Sequence, residues 1–467
     1  MLSAESTPLN RTQKYGLPIL LTMAIFMQML DVTILNTALP AIARDLNESA
    51  LNMQSVVVSY VLTVAVCIPL SGYLSDKYGT QRMFITAISL FGLGSILCAL
   101  STTLPMLVGA RIVQGLGGAL LTPVARLALM RSFKGRQLMQ ALNYAVMPAL
   151  MGPMLGPLVG GYLVENASWH WIFLMNIPFA LIAIVVGYKI MPNFVLAHPS
   201  LDVFGVVLVG SSAFLLTLGF ETAGNTAMGY NSLWLVLVAV LLLWAYRSYA
   251  LSHPLAIYPL HLWKVRTFRI GLNSSLMARV GMAAVPFLLP LLFQVVFGYS
   301  PMEAAWLLIP TALAAMMTKP LLQPLMRRFS YRKVLLWNTT LVGLLLMSLA
   351  TFSAHTPKVA IVVHLFILGM ANSIQFSAMS TLIVSDLRDY QKSSGNSLMS
   401  VTQQLAMGLG TALAAMLLRL NQHWLEPKAA DSVYVAFQLT FIMIGLVTLV
   451  AGWLFRYLHQ YDGRSML

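Results

Sequence analysis

Apolar segments of about twenty residues alternate with short polar stretches along the whole chain. An α-helix needs about 20 apolar residues to cross roughly 30 Å of hydrocarbon, so each segment is long enough to span a membrane. The pattern predicts fourteen transmembrane helices, which we number as spans 1 to 14 in chain order. Their predicted ranges are 17–38, 54–74, 83–103, 105–128, 140–163, 169–191, 202–222, 229–249, 270–296, 302–324, 334–353, 359–381, 394–418 and 434–457.

The composition supports a membrane protein. The 467-residue chain is 58% hydrophobic and only 9% charged, whereas ordinary soluble domains are about 25% charged. The chain is therefore predicted to be an all-α polytopic membrane protein. The two cysteines, Cys67 and Cys98, lie within predicted spans and indicate no disulfide framework.

Basic residues lie mainly on one side of the predicted membrane. Of 28 Lys and Arg, we assign twenty to the side of the two termini and four to the opposite side. Because basic loops remain cytoplasmic, both termini are predicted to lie in the cytoplasm, in a multi-pass protein of the plasma membrane (a bacterial inner membrane). The net charge of +14 then faces cytoplasm and anionic headgroups rather than a nucleic acid. The four basic residues within spans are Arg111, Arg126, Arg279 and Lys319.

An internal repeat divides the chain into two halves. The stretch GYLSDKYGTQRM at 72–83 resembles QPLMRRFSYRKV at 323–334, and this offset of 251 residues places span 1 on span 9 and span 5 on span 13. Duplicated halves with a binding site between them are typical of secondary transporters. The predicted domains are a six-helix half, an inserted helix pair with a cytoplasmic linker, and a second six-helix half. Their ranges are 1–201, 202–269 and 270–467.

Asp31 is the acidic residue that the pattern places inside the membrane. The other thirteen acids fall in tails, loops or span ends, and a carboxylate in hydrocarbon costs a few kcal/mol. Arg111 in span 4 lies at a matching depth below the same membrane surface. Two interpretations follow: Asp31 carries a proton and Arg111 tunes its proton affinity, or the two residues form a permanent structural bridge.

The loop GYLSDKYGTQR after span 2 combines glycines with charged residues. The glycines permit a close helix approach and a tight turn, and the charged residues can form ion pairs or meet a helix N-terminus of the other half. The loop is therefore a candidate conformational latch, or else a solvated turn. The residues concerned are Gly72, Asp76, Lys77, Gly79 and Arg82.

Span 5 contains MGPMLGPLVGG at 151–161. Glycines at every fourth position form a small-residue strip for close helix packing, and two prolines remove backbone donors and favour a bend. This combination suits a gating helix, although simple helix packing would also explain it. The residues are Gly152, Pro153, Gly156, Pro157 and Gly160.

Other polar residues within spans are candidates for lining a substrate cavity, namely Gln28, Asn36, Gln114, Arg279 and His364. Arg279 occupies the position in span 9 that matches Gln28 in the repeat. A structural arginine and a hydrogen-bonded packing histidine remain the alternatives for Arg279 and His364. A cavity with two arginines around one aspartate hints at neutral or anionic substrates.

Four segments resemble the major facilitator superfamily: the loop at 72–82, RIVQGLGGALLTP at 111–123, MGPMLGPLVGG at 151–161 and SWHWIFLMNIP at 168–178. Together with LDVTILNTALP at 30–40, they are similar to its fourteen-span drug:proton antiporters (EmrB/QacA branch). SYVLTVAV at 59–66 and SSGNSLMSVTQQL at 393–405 resemble the MdtD/HsrA-like group of exporters within that branch. The resemblance implies the major facilitator fold, a link between Arg111 and proton coupling, and an antiporter role for span 5. Thr80 and Gln81 stand where the family has a basic pair.

The predicted function is a proton-coupled secondary active exporter of small amphipathic or toxic organic compounds that works by alternating access. The chain lacks a G-x-x-x-x-G-K-[ST] loop, so the proton gradient rather than a cofactor is expected to drive transport. The expected partners are a substrate, protons and lipids, around a monomer. Alternatives are a transporter of one metabolite, such as an amino-acid-like compound or organic anion, or a proton symporter for uptake. A membrane enzyme or sensor would need clustered His, Asp or Cys ligands at depth, and the pattern has none.

Overall fold

The computed structural model describes residues 11–133, 141, 151–195, 202–223, 229–253, 256–258, 260–425, 432–459 and 461–463. Within these ranges the chain is helical and contains no β-strand. We use the predicted division of the chain to name its parts, and call the segment before residue 202 the first half, 202–269 the inserted pair with its linker, and the segment from residue 270 the second half. The first half contains α1 Arg11–Asp45, α2 Gln54–Cys67, α3 Leu70–Tyr78, α4 Thr80–Ala99, α5 Leu104–Ser132, α6 Gly152–Asn166, α7 His170–Leu174 and α8 Asn176–Ile190.

The inserted pair consists of α9 Val203–Ala223 and α10 Gly229–Ser252. A 3₁₀ helix at Leu260–Lys264 leads into the second half. That half contains α11 Arg266–Ala283, α12 Val285–Leu291, a π-helical turn at Leu292–Val296, α13 Pro301–Arg328, α14 Tyr331–Ser348, α15 Lys358–Ser385, α16 Asp389–Trp424 and α17 Ser432–Trp453.

Within the described residues, twelve helical segments are long and apolar enough to cross a membrane. A thirteenth is added if α2 and α3, which meet at a 58° bend, form one span. The bend lies at Pro69, which lacks the backbone donor that would continue the helix. Predicted span 5 extends outside the described residues, and α6 is its described part. The polytopic all-α class is confirmed, and the count of fourteen stays a prediction.

Sequence signals at helix starts explain several boundaries. At α5, Thr103 accepts a hydrogen bond from the backbone N–H of Met106, and Pro105 occupies the first turn. At α13, Ser300 and Glu303 form a reciprocal capping box around Pro301. Such caps satisfy backbone donors that have no partner within the helix.

The two halves contact each other along two helix pairs. In one pair α6 packs against α13, and in the other α2 packs against α16. The inserted helix α9 lies beside the second pair, in contact with both α2 and α16. The hydroxyl of Ser212 on α9 donates to the carbonyl of Ala239 on α10 over 2.8 Å. The inserted pair therefore covers one seam between the halves.

Among the described residues, the hydrogen bonds between the halves lie at one end of the molecule. We name this the outer end because α1 finishes there at Asp45 and because the charge distribution predicts that it faces away from the cytoplasm. Gln294 donates to the carbonyl of Thr37 over 2.9 Å. Arg419 donates to the carbonyl of Leu51 over 3.2 Å. In this conformation the halves are joined at the outer end.

Candidate proton-coupling site

Asp31 and Arg111 form a buried ion pair in the first half. The guanidinium Nη1 of Arg111 lies 2.7 Å from Oδ2 of Asp31, and each residue is only 1% exposed. Asp31 lies in the middle of α1 and Arg111 near the outer end of α5, so the pair joins two helices that run in opposite directions. The two residues, which the sequence placed at a matching depth in the membrane, are therefore in direct contact.

Two amides complete the environment of the Asp31 carboxylate. Gln114 Nε2 and Asn176 Nδ2 each donate to Oδ1 of Asp31 over 2.9 Å. Both carboxylate oxygens are therefore held by donors, from α5 and from the start of α8. Gln114 was a sequence candidate for the substrate cavity, but here it lies in the shell of the ion pair.

Ser95 on α4 connects the two amides. Its hydroxyl accepts from Gln114 over 2.9 Å and from Asn176 over 3.3 Å, and it donates to the carbonyl of Phe91 over 2.9 Å. The sequence analysis did not single out Ser95 or Asn176. The available signal was a pair of neutral polar residues within spans 3 and 6, which is weak because such residues are common in membrane helices.

Arg111 is fixed by three further contacts. Its Nη1 donates to Gln114 Oε1 over 2.5 Å, and its Nε donates to the carbonyl of Val56 over 3.3 Å. Its guanidinium also lies 4.3 Å from the centre of the Tyr60 ring, a cation–π geometry. The Tyr60 hydroxyl has no hydrogen-bond partner among the described residues.

Gln28 and Asn36 lie on α1 on either side of Asp31 along the chain. Gln28 donates to the carbonyl of Gly118 over 3.1 Å and accepts from Thr122 over 2.6 Å, so it holds α1 against α5. Asn36 donates to the carbonyl of Val32 on its own helix over 3.3 Å. Both side chains are buried.

Arg279 on α11 is a buried cation without a carboxylate partner among the described residues. Its Nε donates to the hydroxyl of Ser275 over 2.8 Å, and its Nη2 donates to Ser380 over 3.2 Å. The guanidinium lies 4.1 Å from the ring centre of Phe376 on α15. Neutral hydroxyls and an aromatic face therefore surround this charge.

His364 on α15 contacts α14. Its Nε2 lies 3.0 Å from the carbonyl oxygen of Leu345, and its ring packs edge-on against Phe352. These contacts fit the packing role that the sequence left open for this histidine.

The candidate latch has a different ion pair from the ones expected. Asp76 pairs with Arg131 at the end of α5, at 2.5 Å, rather than with Lys77, Arg82 or the other half. Lys77 instead lies over the rings of neighbouring tyrosines. Arg82 is exposed. The described pair thus fastens α3 to α5 within one half.

The two latch glycines differ. Gly79 has φ of +93°, and a Cβ there would lie 2.0 Å from Oδ1 of Asn193, so the turn requires glycine. At Gly72 a Cβ would meet nothing within 4 Å. The close approach expected at Gly72 is therefore absent in this conformation.

Thr80 and Gln81, which replace the basic pair of the family, bind the end of α8. Thr80 donates to the carbonyl of Pro192 over 2.7 Å, and Gln81 donates to the carbonyl of Tyr188 over 2.7 Å. The last carbonyls of a helix have no partner within it. Neutral donors satisfy such groups here.

The glycine strip of α6 packs against α1. A Cβ on Gly152 would lie 2.9 Å from Cβ of Met29, and one on Gly160 would lie 2.7 Å from the carbonyl oxygen of Ile34. At Gly156 the distance to Oγ1 of Thr33 would be 2.1 Å. The opposite side of α6 faces the other half, because Gly161 lies against the start of α13. Pro153 lies in the first turn of α6 and Pro157 inside the helix.

No cluster of metal-ligating side chains occurs in the described part of the chain.

Comparison with known proteins identifies the family. The family model of the Major Facilitator Superfamily matches residues 21–411 and 271–464. The "Putative multidrug resistance protein MdtD" of Serratia proteamaculans is 41% identical over 425 residues, covering 90% of this chain and 89% of the relative. The "Probable transport protein HsrA" of Haemophilus influenzae is 39% identical over 452 residues, covering 96% of each.

Solved structures show the same fold at low sequence identity. A peptide transporter POT in complex with sulfate aligns with a TM-score of 0.70 at 14% identity, covering 98% of each chain. A D-xylose-proton symporter aligns with a TM-score of 0.66 at 16% identity, covering 96% of this chain and 99% of the symporter. The expectation of a transport protein rather than an enzyme is confirmed. Together the family match, the relatives and the shared fold show that this chain belongs to the major facilitator superfamily.

Proposed function

We propose that this protein is a proton-coupled exporter of small amphipathic or toxic organic compounds, with Asp31 as the proton carrier. The observation that carries the proposal is that Asp31 is the one buried carboxylate among the described residues. Asp31 is paired with Arg111. Its own helix, α1, contacts α12 of the second half. The multidrug resistance names of the relatives support export of organic compounds.

Proton uptake at Asp31 requires a rearrangement of its helices. Both carboxylate oxygens accept hydrogen bonds from Arg111, Gln114 and Asn176, so an incoming proton needs at least one of these contacts to open. The contacts come from α5 and α8. A small displacement of α1 relative to these two helices would release the carboxylate.

A chain of close packing links this displacement to the motion of the halves. Helix α13 of the second half packs on α6, and the glycine strip of α6 packs on α1 around Thr33. Thr33 lies two residues from Asp31. Because packed helix interfaces move as units rather than deforming continuously, rocking of the second half would shift α1 and alter the Asp31–Arg111 distance.

Alternating access also requires the outer end to open. The bonds from Gln294 and Arg419 that join the halves there would break in the outward-open state. The Asp76–Arg131 pair at the inner end would act as the latch between α3 and α5. The proton gradient is the driving force, no cofactor takes part, and the protein works as a monomer in the plasma membrane with both termini in the cytoplasm.

A second candidate, export of organic anions, is favoured by Arg279. A buried cation normally has a counter-charge, because leaving one uncompensated is strongly unfavourable. Arg279 has hydroxyls and the Phe376 ring instead. The carboxylate of an organic anion would supply the counter-charge, and the aromatic or apolar group of the same compound would pack against the Phe376 ring.

The direction of transport can be measured in everted membrane vesicles. An acid interior would drive a proton-coupled exporter to accumulate ethidium or carboxyfluorescein inside these vesicles. Accumulation that requires the acid interior and disappears with a protonophore supports the proposal. Accumulation driven only by the reverse gradient would establish uptake by symport and contradict it.

A further inference from the structure

A groove of about 570 Å³ lies between the start of α11 and the 3₁₀ turn Leu454–Tyr457 that follows α17. It is lined by Arg266, Arg269, Ile270, Asn273, Ser274, Leu454 and Tyr457. On α11 the lining residues follow a spacing of three and four, so they share one face of the helix. The groove therefore combines guanidinium groups with a polar and apolar helix surface.

Neither arginine of the groove has a carboxylate partner among the described residues. Arg269 is exposed, and its side chain makes no hydrogen bond or ion pair with the residues that the structure describes. Arg266 donates to the backbone carbonyl of Tyr457, which is a neutral acceptor. Since each guanidinium has five N–H donors, both retain donors for an anion.

Two further polar features of α11 lie near the groove, about 12 Å apart along the helix. The Ser274 hydroxyl, at the floor of the groove, is buried without a hydrogen-bond partner among the described residues. Helix α11 begins at Arg266 without a side-chain cap, so its positive N-terminal end adds to the attraction for an anion. The uncapped helix start beside two arginines suits a phosphate group, whereas Ser274 lies about 12 Å deeper along the helix.

The groove opens where lipid headgroups are expected. Trp453 and Tyr457 are 65% and 67% exposed at the end of α17, and exposed tryptophan and tyrosine mark the membrane–water interface. Ile270 and Leu454 continue the lining as an apolar surface toward the hydrocarbon. The charge distribution assigns this end to the cytoplasmic leaflet, where basic pockets between helices attract anionic lipids.

We propose that this groove binds one anionic phospholipid. Arg266 and Arg269 pair with the phosphate, the exposed amide of Asn273, one turn deeper, donates to a glycerol ester oxygen, and an acyl chain continues along Leu454 toward the hydrocarbon. The lipid would link α11 to α17, so its occupancy stabilises the second half. This site is independent of Asp31 and of the transported compound.

Native mass spectrometry of the purified full-length protein tests the proposal. Dioleoylphosphatidylglycerol should remain bound to the wild type at concentrations where dioleoylphosphatidylcholine does not. Arg269→Gln should weaken the phosphatidylglycerol affinity about fivefold, the factor that corresponds to about 1 kcal/mol per basic residue near an anionic surface. Arg269→Lys should retain most of the affinity. Arg247→Gln is the control, since Arg247 is exposed near the end of α10 and does not line the groove.

Two results would overturn the proposal. Equal affinity of wild type and Arg269→Gln for phosphatidylglycerol, with both proteins folded by size-exclusion chromatography, would show that the groove does not hold the lipid. Displacement of the lipid by millimolar inorganic phosphate would identify a soluble-anion site instead.

Discussion

Arg111 and Asp31, 80 residues apart in the sequence, are joined by a 2.7 Å ion pair that solvent does not reach. Removing one partner of such a buried pair typically costs about 3–5 kcal/mol, because the remaining charge is left uncompensated. The pair therefore holds α1 against α5 as long as both groups are charged. Protonation of Asp31 would remove that constraint, which connects a chemical event to a helix movement.

The glycine strip of α6 is expected to tolerate no added methyl group at its centre. In Gly156→Ala the new Cβ would lie 2.1 Å from Thr33 Oγ1 and 3.0 Å from the backbone nitrogen of Ile34, so α6 and α1 must separate. Overpacking of this kind costs about 1–3 kcal/mol. We expect a lower unfolding temperature in detergent, measured by tryptophan fluorescence, together with reduced transport.

Gly72→Ala is the matched control for this prediction. A Cβ there has no neighbour within 4 Å, and alanine is favoured over glycine in a helix by about 0.5–1 kcal/mol. The unfolding temperature should stay the same or rise. Equal destabilisation by both substitutions would show that the α6–α1 contact is not the cause.

Cross-linking the halves at the outer end should stop transport. A Cβ placed on Gly161 of α6 would lie 3.2 Å from Cβ of Ala305 on α13. A shift of a few tenths of an ångström would bring the two atoms to the Cβ–Cβ separation of a disulfide, about 3.5–4.5 Å. With Cys67 and Cys98 replaced by alanine, Gly161→Cys/Ala305→Cys should lose transport on oxidation. A reducing agent should restore it, because alternating access requires these helices to part.

A pair within one half provides the control for the cross-link. A Cβ placed on Gly92 of α4 would lie 3.3 Å from Cβ of Ala180 on α8, and both helices belong to the first half. Oxidised Gly92→Cys/Ala180→Cys should transport like its reduced form. Continued transport by the oxidised inter-half pair would rule out opening at the α6–α13 seam.

Arg279 should determine how well the protein transports anionic compounds. A hydrogen bond to a charged group contributes about 1.5–3 kcal/mol, so Arg279→Gln should lower carboxyfluorescein transport about tenfold or more. Ethidium transport should change little, because a cation gains nothing from the guanidinium. Arg279→Lys should fall in between, since an ammonium group lacks the planar fork that binds a carboxylate with two hydrogen bonds.

Arg126→Gln controls for the general loss of a basic residue from a span, since Arg126 is exposed at the inner part of α5. It should leave the preference between the two dyes unchanged. An equal loss of both dyes in Arg279→Gln would indicate a structural role for Arg279 and contradict the anion-binding interpretation.

The sequence was most informative at charged residues, because placing a charge inside the membrane costs free energy. A charged group in hydrocarbon stands out in the pattern, so Asp31 and Arg111 could be identified, and their depth followed from the rise of 1.5 Å per residue. Ser95 and Asn176 could not be identified in this way. Neutral polar residues cost far less at that depth, and their convergence on Asp31 depends on how four helices rotate against one another.

Loop contacts were the least predictable. The sequence indicated that Asp76 would form an ion pair, but its partner Arg131 lies 55 residues away, at the end of another helix. Several cations at the inner end, including Lys77 and Arg82, were equally compatible with the spacing. The role of Thr80 and Gln81 as donors to the end of α8 likewise depends on where that helix ends, which hydropathy defines only to within a few residues.

Proton release from everted vesicles tests the role of Asp31 most directly. Vesicles are acidified inside, and a pH-sensitive dye reports proton efflux when ethidium or carboxyfluorescein is added. The informative protein is the double variant Asp31→Asn/Arg111→Gln, which removes both charges while leaving amides able to hydrogen-bond, so that no buried charge is left without a partner. Glu303→Gln is the control, because it makes the same chemical change in an exposed ion pair with Lys358.

The wild type and Glu303→Gln are predicted to release protons when the compound is added. The double variant is predicted to fold, as judged by size-exclusion chromatography, and to release none. Compound-dependent proton release by the folded double variant at the wild-type rate would show that Asp31 and Arg111 form only a structural bridge, and would contradict the account.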